Sequence, residues 1–140
     1  MINRIPDFEA EDKFAQRIIG AAMKVHTALG CGFLESIYVN ALVIELTEEG
    51  LRFELEKRYS VTYKGVEIGY FNADLVVENR MIVEIKATES LCVAHSIQLV
   101  NYLAASNIET GLLLNFGPKR LEFKTKTRTY RPIEPPNLHA

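Results

Sequence analysis

Two carboxylates and a lysine stand out in this sequence because they interrupt stretches that otherwise read as apolar strands. Glu84 and Lys86 lie within MIVEIKA, at residues 81–87, and Asp74 lies within NADLVV just before it. A charge buried without a partner costs several kcal/mol, so such residues persist in a sheet when they are paired or bind a metal ion. These three side chains are therefore the first candidates for chemistry.

The register of the two strands decides whether the carboxylates meet. Because side chains alternate across a strand, Glu84 and Lys86 share one face. A two-residue turn would oppose Asp74 to Ile85, whereas a three-residue loop at 78–80 opposes Asp74 to Glu84. The second register separates apolar from polar side chains on both strands, so it is the one we predict, although a β-bulge would achieve the same separation.

Opposed carboxylates at Asp74 and Glu84 would repel each other, so one would take up a proton unless a cation lay between them. Magnesium is commonly held by one or two carboxylates together with substrate phosphate oxygens, which makes it a suitable cation. Lys86 lies about 6–7 Å along the strand from Glu84, within reach of an attacking water or a phosphate. A simple ion pair of Lys86 with either carboxylate is the alternative, and these residues alone leave both open.

The elements that must position these charges indicate an α/β fold. Apolar periodicity and turn signals predict helices over 11–28, 33–49 and 90–106, and strands over 52–63, 67–77, 81–87 and 110–116, with an edge strand from 121. The proline-rich residues 131–140 read as an irregular tail after a single domain at 1–130. This order predicts three layers, in which a central mixed β-sheet is flanked by α-helices.

The third predicted helix carries two stripes of side chains. His95, Gln98 and Tyr102 form an uncharged polar stripe at i, i+3 and i+7, which suits the lining of a cleft or, alternatively, a surface facing solvent. We expect His95 to be structural. The apolar stripe beside it, which is predicted to face the core, consists of Val93, Ile97, Val100 and Ala104.

Composition and charge narrow the classes of function. The 140 residues are 48% hydrophobic and 24% charged, which is ordinary for a globular protein. Cys31 and Cys92 form no C-x-x-C pair, so a four-cysteine zinc site is excluded. The sequence begins without the apolar core of a signal peptide, and no apolar run approaches the roughly 20 residues of a membrane span. We therefore expect a soluble, cytoplasmic protein with no membrane partner.

The net charge of −2 gives no general support for a nucleic-acid partner. Locally, however, residues 119–131 contain six basic residues and one acid. Lys124, Lys126 and Arg128 share one face of the predicted edge strand and could follow a phosphate backbone. Lysines also keep edge strands soluble, and the sequence leaves the two interpretations equally open.

Three motifs follow one another along the chain: a G-x-x-E-x-x-Y signature, a D-x9-E-x-K element and a Q-x3-Y pair. Their residues are Gly32, Glu35, Tyr38, Asp74, Glu84, Lys86, Gln98 and Tyr102. With these motifs the chain resembles the GxxExxY protein family of the PD-(D/E)XK nuclease superfamily, over roughly residues 15–127. The resemblance implies a restriction-endonuclease-like fold.

The same resemblance implies a divalent-metal site, for Mg²⁺ or Mn²⁺, at Asp74 and Glu84. Lys86 would assist the attacking water, and Glu35 would be the acid that faces the metal site from a helix. Gln98 would orient the lysine or the substrate. These roles are expectations that the geometry of the folded chain must support.

The first hypothesis is a Mg²⁺-dependent nuclease that hydrolyses phosphodiester bonds of nucleic acid, DNA rather than RNA, by metal-activated water. Tyr102, Lys124, Lys126 and Arg128 would bind the substrate. Relatives often carry an arginine where this chain has Asn72, so its loss would weaken phosphate binding or change the substrate. A non-catalytic module that binds nucleic acid or protein, and a hydrolase of a small phosphorylated substrate, are the alternatives. The resemblance also implies a homodimer, because one small domain needs a partner to cut both strands of a duplex.

Overall fold

A computed structural model describes the backbone of residues 8–128 and the side chains from residue 12 onward. Within that range the elements follow in the order α1 (Phe8–Leu29), α2 (Glu35–Glu48), β1 (Phe53–Tyr63), β2 (Val66–Val77), β3 (Met81–Lys86), α3 (Val93–Ser106), β4 (Thr110–Asn115) and β5 (Glu122–Thr127). The tail predicted at 131–140 lies outside the described residues. No helix of the described part has the length and apolar character that crossing a membrane requires.

The five strands form one mixed sheet in the order β1-β2-β3-β4-β5. β3 and β4 are parallel and are joined through α3, whereas the other neighbours are antiparallel. The β1–β2 hairpin turns at Lys64 and Gly65, which both have positive φ as a type I′ turn requires. The predicted loop at 78–80 pairs Val77 with Met81, so the predicted register of β2 and β3 is confirmed.

Two hydrophobic cores lie on opposite faces of the sheet. On one face α1 and α2 pack against side chains of β2, β3 and β4 that include Leu75, Val83 and Leu112. On the other face Leu99 and Leu103 of α3 cover residues that include Ile82 and Leu113. Every residue of β4 is buried, as is typical of a central strand. The three-layer α/β fold with a central mixed sheet is therefore confirmed.

The core face of α3 differs from the prediction. Leu99 and Leu103 are fully buried against the sheet, whereas Val93 and Ile97 of the predicted stripe are 73% and 56% exposed. Both sets have helical spacing, so periodicity alone cannot choose between them. The leucine face is selected because Gly111 of β4 leaves room for Leu99, whose Cδ1 lies 2.8 Å from where a Cβ on that glycine would stand.

Candidate functional site

The candidate site lies where β2 and β3 separate. Their backbone ladder runs for three pairs and ends at Leu75 and Val83. Beyond this point carboxylate side chains replace the backbone acceptors. The N–H of Asp74 donates to Glu84 Oε2, and the N–H of Ile85 donates to Asp74 Oδ2, both at 2.8 Å. Each carboxylate is thus fixed by the backbone of the opposite strand. The structure brings Asp74 and Glu84 into one gap, as the register predicts.

The other neighbour of Asp74 is also irregular. Leu55 and Lys57 of β1 pair with Leu75 and Ala73, but no pair forms between them at Glu56. Glu56 has a φ of 46°, a left-handed conformation that costs a non-glycine residue roughly 1–2 kcal/mol. Ala73 packs in the core beneath α3 and Leu75 in the core beneath α1 and α2. The strand therefore changes face at Asp74.

Glu35 lies in the first turn of α2 and faces the same cleft as Asp74. The cleft has a volume of about 270 Å³ and is lined by Glu35, Ser36, Val39, Asn40, Leu55, Glu56 and Asp74. Tyr38 anchors this end of the helix from below: its hydroxyl donates to Gly30 O at 2.6 Å, and its ring stacks on Phe116 at 4.5 Å. The structure thus places Glu35 and Asp74 on the wall of one cleft.

Glu56 is a cleft residue that the sequence did not predict. Counting back from the Lys64 turn would place Glu56 opposite Ala73, because the hairpin starts in a simple two-residue register. A bulge between Val61 and Thr62 shifts the register by one residue. That shift carries Glu56 to Asp74, and only knowledge of the bulge could have revealed it.

The electrostatics of the gap favour protons or cations. Burial, followed by the charge of Asp74, raises the pKa of Glu84 to about 8. Burial also raises the pKa of Asp74, and the neighbouring charges of Glu35 and Glu56 act in the same direction. The backbone N–H donors and Lys86 oppose these shifts without cancelling them. The pair therefore keeps a proton near neutral pH unless a cation replaces it.

Lys86 stands half-buried at the end of β3, beside the two carboxylates. Its charge lowers the pKa of both Asp74 and Glu84, which places it within electrostatic reach of the gap. Among the described residues, however, its ammonium makes no hydrogen bond or ion pair with either carboxylate. The ion-pair alternative is therefore not formed in this structure, and the lysine is available for another negative group.

The loop after Lys86 is held by the fully buried side chain of Asn115. Asn115 Oδ1 accepts from the N–H groups of Thr88 at 2.9 Å and Gly117 at 3.1 Å. Its Nδ2 donates to Thr88 O and to Glu122 Oε1, both at 3.0 Å. A Cβ at Gly117 would stand 1.9 Å from Thr88 O, so the two loops touch through backbone alone. Asn115 thus anchors the strand end that carries Lys86.

α3 brings one of its two predicted site residues to the carboxylates. Tyr102 stacks on Phe71 with ring centroids 3.8 Å apart, and burial followed by the two carboxylate charges raises the pKa of its phenol. Gln98 shares that flank of the helix but is exposed, and it makes no hydrogen bond to the site within the described range. His95 is structural, since its Nδ1 accepts from the Cys92 N–H at 3.1 Å and caps the helix.

The basic residues of β5 lie on the sheet face that carries Glu84. Lys124 pairs across the ladder with Leu113, which itself pairs with Glu84. Lys124 and Glu84 are therefore two strands apart, a separation of about 10 Å in total. Lys126 follows on the same face. Both residues therefore stand beside the gap rather than in it.

Two arginines are engaged by acidic residues outside the gap. Arg128 forms an ion pair with Glu109 at 3.8 Å, so its position is part of the packing of β5. Arg58 pairs across the ladder with Asn72, where relatives often carry arginine, but its guanidinium binds Glu67 at 3.0 Å. Arg58 therefore does not restore the missing cation at that position.

The donor set suits an ion that needs few protein ligands. Between residues 12 and 128 no three His, Cys, Asp or Glu side chains converge as a ready-made metal cluster. The protein contributes the two carboxylates of Asp74 and Glu84, with Glu35 further away across the cleft. Mg²⁺ usually retains several waters and takes one or two carboxylates, so this set fits it.

Comparison with known proteins agrees with the fold. The crystal structure of SSO0001 is similar, with a TM-score of 0.53 and 19% identity over 89% of this chain and 62% of that one. This chain therefore spans less than two thirds of that protein, and the likeness concerns the fold alone. A search of curated proteins found no match. A family model of the PD-(D/E)XK nuclease superfamily matches residues 12–128. The chain, with Asp74, Glu84 and Lys86 at its diverging strands, belongs to the PD-(D/E)XK nuclease superfamily.

Proposed function

We propose that this chain is a divalent-metal-dependent nuclease that hydrolyses phosphodiester bonds of nucleic acid, DNA rather than RNA. The observation that carries the proposal is the gap between β2 and β3, where Asp74 and Glu84 are each fixed by the opposite backbone. Burial raises the pKa of Glu84, so a cation is needed to keep both carboxylates charged, and Lys86 stands beside them. Membership of the GxxExxY family within the superfamily remains part of the proposal.

Asp74 and Glu84 would hold Mg²⁺ or Mn²⁺ through the oxygens that the backbone does not use. In the described part of the chain, Asp74 Oδ1 and Glu84 Oε1 make no hydrogen bond, while their partner oxygens each accept one N–H. When bound, such an ion polarises the phosphate and lowers the pKa of a coordinated water.

The remaining residues would position the substrate and the water. Lys86 would place its ammonium against the phosphate oxygens, where a preorganised cation stabilises the charge that develops during hydrolysis. Glu35 would accept hydrogen bonds from water in the cleft. Gln98 and Tyr102 would contact the substrate from α3. Lys124 would attract the phosphate backbone from β5, and Lys126 and Arg128 would add to this attraction.

The test is cleavage of labelled single- and double-stranded DNA and RNA with Mg²⁺ or Mn²⁺. Glu84→Gln and Lys86→Met remove the charges while keeping the shape. Glu48→Gln and Lys24→Met are matched controls at exposed positions. We expect a loss of roughly 10²–10⁴-fold in both site variants and no change in the controls.

Three outcomes separate the alternatives. Cleavage that survives in Glu84→Gln would contradict this site. A folded wild-type protein that cuts no substrate and binds no divalent ion by calorimetry would establish the non-catalytic module instead. Turnover of a mononucleotide or an aryl phosphodiester, without cleavage of any polymer, would establish the hydrolase of a small substrate.

A further inference from the structure

The β1–β2 hairpin extends past the rest of the sheet. β2 pairs with β3 over three residues, whereas its pairing with β1 continues to the turn at 64–65. We call residues 58–72 the arm, and its strands run for about 20 Å from their base to the turn. Among the described strands none pairs with the arm, because β1 is the edge strand and the β2–β3 ladder ends at Leu75. The arm is therefore a two-stranded ribbon.

The arm exposes large apolar side chains that such a ribbon cannot bury. Tyr63, Val66, Ile68 and Tyr70 are each between 59% and 65% exposed. Single exposed apolar residues scattered over a surface are ordinary, whereas these four lie within eight consecutive residues. Their concentration marks the arm as a surface that binds a partner or a ligand.

The two faces of the arm point to different sides of the sheet. Phe71 is directed towards α3, because its ring stacks on Tyr102. Its neighbour Tyr70 therefore points to the opposite side, where α2 packs and where the cleft lined by Glu35 and Asp74 opens. Tyr70 stands four residues from Asp74 along the strand, a distance of about 13 Å. A ligand of Tyr70 thus adjoins the candidate site.

Tyr70 is held as an open aromatic platform. The guanidinium of Arg58 lies over its ring, 4.2 Å from the centroid. Glu67 fixes this guanidinium, because it accepts from Arg58 Nη2 at 3.0 Å and from the Ser60 hydroxyl at 2.6 Å. Arg58 covers one face of the ring, and the exposure of Tyr70 leaves the other face open. Exposed ion pairs stabilise a fold little, so the main effect of this network is to order the ring.

The chemistry of the platform favours an unpaired base. Aromatic rings, with cation–π contributions from arginine, stack on the bases of single-stranded nucleic acid, since every base has a π-face. A duplex encloses those faces and is bound chiefly by Lys and Arg contacts to phosphate. The charge of Arg58 is balanced by Glu67, so the platform offers a ring without added positive charge. That combination matches a base rather than a phosphate backbone.

We propose that Tyr70 is a stacking platform for an unpaired base, and that the substrate class is therefore single-stranded DNA. The arm guides this strand along the side of the sheet on which Glu35 and Asp74 line the cleft. This inference rests on the proposed nuclease function for its substrate, but its test measures binding without catalysis, so the two can fail separately.

The test is fluorescence anisotropy of a labelled DNA oligonucleotide, single-stranded or annealed to its complement, titrated with the full chain in EDTA. The test variant is Tyr70→Leu, which keeps an apolar side chain and removes the ring. Tyr63→Leu is the matched control, because Tyr63 is 62% exposed and the ammonium of Lys64 lies over its ring. Tyr59 pairs with Phe71, and Tyr63 follows four residues later, so the control lies on the face opposite Tyr70.

We expect the wild type to bind the single strand more tightly than the duplex. Tyr70→Leu should weaken binding to the single strand by about 5- to 100-fold, the loss of one stacked base, whereas Tyr70→Phe and Tyr63→Leu should bind like the wild type. Because stacking releases no counterions, the ratio of the Tyr70→Leu and wild-type dissociation constants should be the same at low and high salt. Urea denaturation checks that each variant is folded.

Three results would overturn the proposal. A Tyr70→Leu chain that binds the single strand as tightly as the wild type, or no more weakly than Tyr63→Leu, would show that the ring is not a platform. A duplex bound at least as tightly as the single strand would contradict an unpaired base as the ligand. A folded wild-type chain that binds neither would leave a protein as the partner of the arm, while the cleavage assay with metal would still decide the nuclease.

Discussion

The two sides of β3 make a direct comparison, because one strand borders both a regular ladder and the site. Towards β4 the pairing runs over six residues, from Met81 with Thr110 to Lys86 with Asn115. Towards β2 it stops after three pairs, and side-chain carboxylates receive the N–H groups that the ladder would have used. The β4 side thus stabilises the fold, whereas the buried carboxylates on the β2 side lower the free energy of unfolding.

The largest effect is expected on the β4 side, from Leu112→Ala. Leu112 is fully buried, and such a truncation lowers the free energy of unfolding by about 2–5 kcal/mol through lost burial and a cavity. Urea denaturation measures the loss, and calorimetry of the folded variant should show unchanged Mg²⁺ binding. A Leu112→Ala protein that lost Mg²⁺ binding but kept its stability would contradict the division of roles between the β4 side and the β2 side.

The next effect is a pH dependence on the β2 side. The folded protein keeps the Glu84 proton up to about pH 8, whereas the unfolded chain releases it above its ordinary value of 4.5. Unfolding therefore releases a proton between these values, and the free energy of unfolding falls as pH rises through them, by on the order of a few kcal/mol.

Glu84→Gln should flatten this slope and raise stability at alkaline pH. Urea denaturation from pH 4 to 9 in EDTA measures it, with Glu48→Gln as the control. A slope that is the same in wild type and Glu84→Gln would assign the proton to another group.

Asn115→Ala should have a somewhat smaller effect, a loss of about 1–3 kcal/mol, because it leaves the partly buried N–H groups of Thr88 and Gly117 without their acceptor. This variant sharpens the comparison, since it acts at the end of the ladder that carries Lys86. Denaturation gives the stability. Because Asn115 does not contact Asp74 or Glu84, we expect metal affinity to change less than stability, and the reverse would contradict a purely anchoring role.

The smallest effect, with the opposite sign, is expected from Glu56→Gly. Glycine adopts a φ of 46° without the steric cost that glutamate bears, so the variant should be up to about 1 kcal/mol more stable than Glu56→Ala. Glu54→Gly, at a paired position of β1, should be destabilising. Paired urea curves decide the point, and an alanine variant more stable than the glycine one would refute the strain.

The sequence allowed the β2–β3 register to be predicted because only one loop length separates apolar from polar residues on both strands. The meeting of Asp74 and Glu84 followed from that register, and Glu35 followed from the family signature. The fold class was predictable because the order of helical and strand patterns along the chain favours a mixed sheet between layers of helices. Local pattern is therefore sufficient where burial leaves a single solution.

Other features depended on contacts that no local pattern contains. α3 has two apolar stripes, and the choice between them rests on the space that Gly111 leaves for Leu99. Glu56 reaches Asp74 through a bulge six residues away, at Thr62. The ion pair of Arg128 with Glu109 could not be predicted from the alternation of the edge strand. Each case was decided by tertiary structure.

The end of β4 has a consequence for the motions of the site. Asn115 holds the loop beyond Lys86, and the next residue, Phe116, stacks under Tyr38 in the helix that carries Glu35. Two consecutive buried residues thus connect both flanks of the cleft to the central strand. Amide hydrogen exchange at Thr88 and Gly117 should accordingly be slow and should follow global unfolding, so that the site loses its geometry only when the whole domain opens.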